Sequence, residues 1–367
     1  MVKHPRRLAF VVLMIALSST ACGNLVPSNP TPTPASSAAV DAEQPLRLFF
    51  VRTYAEENAW SNRIRTGILE KLAKSGYDQA AQNLIFSEAA IGADVLKDAE
   101  RLQSRVADII AEIQAFGPHV VVVADDEAAR QVIRGYPDPT LPFVFCGLNG
   151  RAWEYGLSRP NVTGVIETTY PLQTVRLGAK MMGYEPRSVL FLSDTSIASV
   201  TANDQIALAL SDEEVSPVRE FVGQQTDSWE AWQKLVLEDA EDFDILMLGY
   251  YGNITDENGE HMPGITVLHW TLQNSPVPVF GVQLNTIDGG GVGGLVVSGY
   301  EQGQAAAELV LQILQGAKPD SLAYRIPERN VLTVNMVAAR YWDLEIPLEL
   351  LVAARVERYF PVALGGQ

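Results

Sequence analysis

The chain predicts an α/β fold of two successive units, each a parallel sheet flanked by helices, with a ligand cleft between them. Three observations carry this. From residue 46 onward, short apolar runs of strand length alternate with segments of helical period. The alternation restarts after residue 165 in a second unit of similar size. Residues 46–367 are numerous enough to bury one or two cores.

Ahead of the alternation lies a leader. Residues 1–7 carry Lys3, Arg6 and Arg7 and no acid, residues 8–17 (LAFVVLMIAL) are continuously apolar, and Ser18-Ser19-Thr20-Ala21 precede Cys22. This is the order of an export signal, predicted to span 1–21. Ten apolar residues fall short of the roughly 20 that a helix needs to cross a bilayer. Cys22 at the cleavage point resembles a bacterial lipobox, which implies a lipid anchor on that cysteine. The departure is Ser19, where such boxes usually carry Leu, and the alternative is an ordinary cleaved signal. Residues 22–45 follow as a tether with four prolines among 23–44 and no basic residue. Such a stretch cannot fold alone, and polyproline geometry at about 3.1 Å per residue would let it hold a domain up to roughly 60 Å from a membrane.

The elements follow in order. Residues 46–53 (LRLFFVRT) read as a buried strand, about 59–75 as a helix ended by Gly76, and 84–86 as a short strand. Val95, Ala99, Leu102, Val106, Ile109 and Ile113 step by four and three, one apolar stripe of a helix that Gly117-Pro118 stops. Residues 120–124 (VVVVA) are a second buried strand, 126–133 a helix and 143–145 a third strand. In the second unit, helices are predicted at 174–182, 197–210, 229–237 and 266–273, with strands at 189–192, 220–222, 245–248, 279–282 and 295–297. An Ala-rich helix covers 302–314. Right-handed crossovers between these strands make parallel sheets. The expected lobes are 46–164 plus 298–320, and 165–297 plus 321–360. Ligands of such sheets sit outside the carboxyl ends of the strands, so facing lobes make a cleft.

Composition excludes several classes. The chain carries a formal charge of −17, and the leader holds +3 of it with no acid, leaving near −20. Phosphate backbones need clustered Lys and Arg, so no nucleic-acid partner is expected, nor broad adhesion to anionic lipid. Cys22 and Cys146 are the two cysteines, and lipidation of the first leaves no disulfide. His4, His119, His261 and His269 show no zinc spacing, so no metal is expected. No nucleophile–base pair or cofactor motif appears, so neither enzyme nor cofactor is expected. The glycine-rich 288–294 lacks the Lys and Ser or Thr of a phosphate loop and reads as a close-approach loop.

Short motifs run through the same region. They are Tyr54 with Trp60, Ile64, Gly67-Ile68 and Leu72; Ala124-Asp125-Asp126-Glu127-Ala128; residues 143–149 (FVFCGLN); Thr163-Gly164-Val165-Ile166-Glu167; residues 291–299 (GVGGLVVSG) with Gln302-Gly303; Val334-Asn335; and Ile346-Pro347 with Leu350-Leu351. In this order, over roughly 46–357, they resemble the ABC-transporter substrate-binding proteins of the type I periplasmic fold. The same module serves as the sensor domain of some histidine kinases and diguanylate cyclases. The resemblance implies an extracytoplasmic protein that traps a small organic ligand by lobe closure. The partner it implies is an ABC permease, or in the alternative a separate membrane kinase or cyclase. Ala55 and Asn58 stand where sensor-type members carry His and often Tyr, so no ligand identity transfers.

The candidate ligand residues sit at strand ends: Tyr54, Trp60, Asp125, Asp126, Asn149, Glu167, Asp194, Thr195 and Tyr250, with Tyr251 beside the last. Tyr54 and Trp60 could stack on a ring or sugar face, or Trp60 could pack on the sheet edge. Asp125-Asp126 could hold an ammonium or hydroxyls, with Asp126 as helix cap and Asp125 toward the cleft. Residues 193–196 (SDTS) could bind an anion or simply cap a helix. Asn149 could bind ligand or bridge the hinge, and Gly164 would allow unusual backbone angles at the crossing. Cys146 reads as a buried or cleft-lining thiol.

Overall fold

The computed structural model describes residues 44–361 except 94, 97 and 328. The expected export leader (1–21), Cys22 and nearly all of the expected tether (22–45) lie outside the described residues. No helix among the described residues is long and apolar enough to cross a membrane.

The first sheet is built by β1 (Leu46–Arg52), α1 (Ala59–Lys74), β2 (Leu84–Ala90), α2 (Ala99–Phe116), β3 (Val120–Ala124), α3 (Asp126–Ala128), β4 (Phe143–Leu148) and β5 (Val162–Ile166). Its order is β2-β1-β3-β4-β5, and every pairing is parallel. Period-two alternation sorts the side chains. Leu48, Phe50, Val122, Val144 and Cys146 face one layer with Ile64, Ile68 and Leu72 of α1. Phe49, Val51, Val121, Val123 and Phe145 face the other, with Val106, Ile109 and Ile113 of α2. A VVVVA run that is buried on both faces is what a central parallel strand requires.

Two readings change here. Helix α2 starts at Ala99, because the Asp98 side chain accepts from Arg101 N and caps it; Val95 lies before the cap and is exposed. The helix expected over 126–133 is three α-helical residues followed by a π-helical turn, Ala129–Ile133.

The second half contains α4 (Pro171–Met182), β6 (Ser188–Ser193), α5 (Ile197–Leu210), β7 (Glu220–Gln225), α6 (Trp229–Lys234) running into a π-helical turn (Leu235–Asp239), β8 (Ile245–Leu248), α7 (Gly264–Asn274), β9 (Val279–Gly281), α8 (Leu284–Asp288) and β10 (Gly293–Val296). Its sheet runs β7-β6-β8-β9, all parallel. Trp232 is fully buried in this core, and its indole N–H donates to Thr271 Oγ1 at 2.8 Å. The chain then returns through α9 (Gly299–Leu314), which packs on α1 and on β4 and β5 of the first sheet. It ends with β11 (Val331–Asn335), α10 (Met336–Tyr341), α11 (Leu348–Ala353) and β12 (Arg355–Glu357). Strand β11 pairs antiparallel with β10 and parallel with β12. No strand is expected from the sequence at β11 or β12: β12 holds a single apolar residue, and β11 (VLTVN) is five residues long and ends in buried Asn335.

Three segments run between the halves: the one after β5, Val297–Ser298 before α9, and the stretch before β11. Arg325 in the last bridges the first sheet, with its N donating to Gly164 O and its O accepting from Ile166 N. Gly164 itself has no left-handed backbone; its smallness matters because an added Cβ would lie 2.3 Å from Phe145 Cδ2. Space, not an unusual angle, explains this glycine.

Candidate functional site

The carboxyl ends of β1, β3, β4 and β5 carry Tyr54, Asp125-Asp126, Asn149 and Glu167, and those of β6 and β8 carry Asp194 and Tyr250. Hydrogen bonds connect the two sheets here. The Tyr250 hydroxyl lies 2.9 Å from Glu167 Oε1 and 3.2 Å from Asn149 Oδ1. Gln205 of α5 reaches back, its Nε2 donating to Asn149 O at 3.4 Å.

The two adjacent aspartates do different work. Asp126 is fully engaged: Oδ2 accepts from Asn149 N and Nδ2 at 3.2 and 3.1 Å, and Oδ1 from Gly150 N and the Tyr155 hydroxyl, both at 2.9 Å. It ties the β4 loop to the end of β3 and does not cap α3 by its side chain. Asp125 occupies the cap position with φ 71° and ψ 165° and makes no side-chain cap bond either. A non-glycine residue at such a φ is held there by its surroundings. Asp125 N donates to Cys146 O at 2.8 Å, and Asp125 O accepts from Ala129 N at 3.0 Å. Its Oδ1 accepts from Trp60 Nε1 at 2.7 Å, while the buried Oδ2 has no partner among the described residues. Trp60 is buried and acts here as a donor to Asp125.

Gly147 makes room for this pair. Its φ is 66°, and a Cβ there would sit 2.8 Å from Asp125 Oδ1. Gln302 of α9, fully buried, accepts from Gly147 N at 3.0 Å and donates to Ile166 O at 3.3 Å, joining β4 to β5 at the crossing. Tyr155, Gln205 and Gln302 were not among the sequence candidates. Gln302 stood in a quoted motif, but its partners lie 155 and 136 residues away. Nothing local marks Tyr155 or Gln205.

Burial dominates the electrostatics. It pushes the carboxyl of Asp125 up to about 8; the Trp60 hydrogen bond opposes this and Asp126 adds to it. Burial likewise pushes Glu167 up to about 8, against the Tyr250 hydrogen bond and with Asp125 and Asp126 adding to the rise. The Tyr54 phenol is raised well above its usual value, by burial first and then by the fields of Asp125, Asp126, Glu167 and Asp194. Cys146 is buried and unpaired, with its thiol raised by burial and then by Asp125 and Glu167.

On the second sheet, Asp194 organises its own loops. Oδ1 accepts from the Ser196 amide and hydroxyl and from Ser199, and Oδ2 from Gly252 N and Asn253 N. Ser196 caps α5 by accepting from Ser199 N. Thr195 is exposed, and its amide and hydroxyl both bond Asp227. Of the sequence candidates, Trp60, Asp125, Asp126, Asn149, Glu167 and Tyr250 thus form one connected cluster, whose acids act on the Tyr54 phenol. Asp194 borders it, and Thr195 points to Asp227. Tyr251 bonds Thr286 Oγ1 instead. No group of three or more metal-ligating side chains occurs among the described residues.

The family model of the ABC transporter substrate binding protein matches residues 56–357. No curated protein sequence matches the chain. Among solved structures, an ABC domain in complex with L-Trp from Streptococcus pneumonia has TM-score 0.65 at 18% identity, covering 86% of this chain and 100% of that one. A conserved domain protein from Vibrio cholerae gives the same values, TM-score 0.65 and 18% identity over 86% and 100%. A ligand-free, open substrate binding protein with adhesive properties from Clostridium difficile has TM-score 0.64 at 14% identity, over 85% and 99%. These likenesses show the two-lobed type I periplasmic-binding fold. The chain belongs to the ABC transporter substrate-binding protein family.

Proposed function

We propose that this family member captures a small organic solute between its lobes, outside the cytoplasm, and hands it to an ABC permease while a lipid on Cys22 holds it at a membrane. The lobes would be 46–164 plus 298–320 and 165–297 plus 321–360, as the strand–helix alternation suggests. The observation that carries the reading is the meeting of Tyr250 with Glu167 and Asn149, because strand ends of both sheets converge there. Closure of lobes around a ligand is an established hinge response. The anchor rests on residues 8–22 of the sequence and the reach on the tether.

A thermal-shift panel of amino acids, amines, nucleosides and sugars tests capture. A ligand at 100 times its Kd adds about 2.7 kcal/mol, which is about 4 °C for a chain of this size. Tyr250→Phe removes a hydrogen bond to a carboxyl group, so calorimetry should show at least tenfold weaker binding, at about 1.5 kcal/mol or more. Unchanged affinity would refute the site. Mass spectrometry of the mature N-terminus tests the anchor, and crosslinking in membranes separates a permease partner from a membrane kinase or cyclase.

A further inference from the structure

We propose that the interlobe site takes an organic cation, a protonated amine in preference to a zwitterion or an anion, with Asp125 Oδ2 as its first acceptor and Glu167 as its second counter-charge. This rests on the reading of the cluster as a solute site.

The first observation is the difference between three carboxylates. Both oxygens of Asp126 and of Asp194 are filled by protein donors. Asp125 is only 5% exposed, yet Oδ2 is buried without a partner among the described residues. A buried acceptor left unmatched is costly unless something fills it. Positive φ, the Cys146 and Ala129 backbone bonds and the Trp60 donor all hold this carboxyl in place.

The second observation is the sign of the surroundings. The titratable groups that interact with Asp125 or Glu167 are Tyr54 after β1, Asp126 at α3, Cys146 on β4 and Tyr250 after β8, and Asp194 after β6 acts on Tyr54. Among the described residues, no Lys, Arg or His hydrogen-bonds or ion-pairs with Asp125, Asp126, Glu167 or Asp194.

The third observation concerns what an anionic group would need. Four amides at the second-sheet strand ends are already committed: Thr195 N to Asp227, Ser196 N to Asp194 Oδ1, and Gly252 N and Asn253 N to Asp194 Oδ2. A ligand carboxylate would find these four amides taken and no Lys, Arg or His hydrogen-bonded to the acids it would face. A cation finds two acids. Their protons, retained to about 8, would leave when it binds, so capture at neutral pH releases protons.

The test uses one ring with three charges: tryptamine, L-tryptophan and indole-3-propionate. Putrescine and choline extend the amines to one without a ring and one without N–H. Titration calorimetry at pH 6, 7 and 8, in two buffers of different ionisation enthalpy, reads affinity and proton release together. The expected result is an amine bound tightest, with affinity rising by up to tenfold per pH unit for each proton released. Asp125→Asn should weaken it at least tenfold and flatten the pH dependence; Glu167→Gln should flatten it in part, and melting of each empty variant verifies folding. Tighter binding of L-tryptophan, of indole-3-propionate or of a neutral sugar overturns the cation assignment; if that binding also falls in Tyr250→Phe, the solute-site reading stands. Equal amine affinity in a folded Asp125→Asn also overturns it. Binding of nothing in the whole panel sinks both.

Discussion

Replacing Asp126 by Ala should unfold the protein far more readily than replacing its neighbour. Asp126 accepts from four donors, the Asn149 amide and side chain, the Gly150 amide and the Tyr155 hydroxyl, all on a buried loop. A buried donor left without its acceptor costs about 1–3 kcal/mol. Even if the loop relaxes enough to satisfy two of the four, the remaining pair gives about 2–6 kcal/mol. At about 1.5 °C per kcal/mol for a chain of this size, a middle value of 4 kcal/mol lowers Tm by about 6 °C. Asp125→Asn is the control: it keeps an acceptor for Trp60 and removes an acid whose charged form burial disfavours. Asn also tolerates positive φ, so this variant should melt close to the parent. Thermal unfolding followed by circular dichroism compares the three proteins. If Asp126→Ala melted within about 2 °C of the parent, or Asp125→Asn collapsed instead, the division of labour between the two carboxylates would be wrong.

Two further outcomes follow from the same geometry. In the empty protein, the unfolded chain gives up the protons of Asp125 and Glu167 near pH 4, whereas the folded chain keeps them to about 8. The unfolded state then binds fewer protons across that window, so stability falls as pH rises from about 4 to about 8, by up to about 1.4 kcal/mol per unit for each group, and levels outside it. Urea unfolding at several pH values checks this, and Asp125→Asn with Glu167→Gln should flatten the slope; a parent whose stability rises over that window contradicts it. Gly303→Ala would put a Cβ 2.1 Å from Ile64 O and force α9 away from α1. Overpacking of this kind costs about 1–3 kcal/mol, a Tm loss of about 1.5–4.5 °C, and an unaltered Tm would mean the helices do not pack this closely.

The strands and long helices were legible because burial dictates their pattern. Val120–Ala124, apolar at every position, could only be a strand covered on both faces, and the stripe of α2 was set by its period. What escaped was set by distant partners. Val331–Asn335, only five residues long, is fixed as a strand by the edge that β10 offers it. The start of α2 depended on Asp98, a local cap that the apolar spacing from Val95 concealed. The strand-end candidates were readable from the rule that parallel strands present ligands at their carboxyl ends. Which aspartate is structural was not: adjacent carboxylates look alike until the Asn149–Tyr155 loop folds onto one of them.

The central claim is that the solute lies between Asp125 on one side and Tyr250 on the other. A crystal structure of residues 44–361 with the tightest ligand from the panel tests it directly. The account predicts a ligand nitrogen or hydroxyl about 2.7–3.2 Å from Asp125 Oδ2, with Glu167 and Tyr250 closing around it. A ligand seated elsewhere, such as the groove formed by Leu102, Gln103, Arg130 and Arg134, with Asp125 Oδ2 untouched, would contradict it.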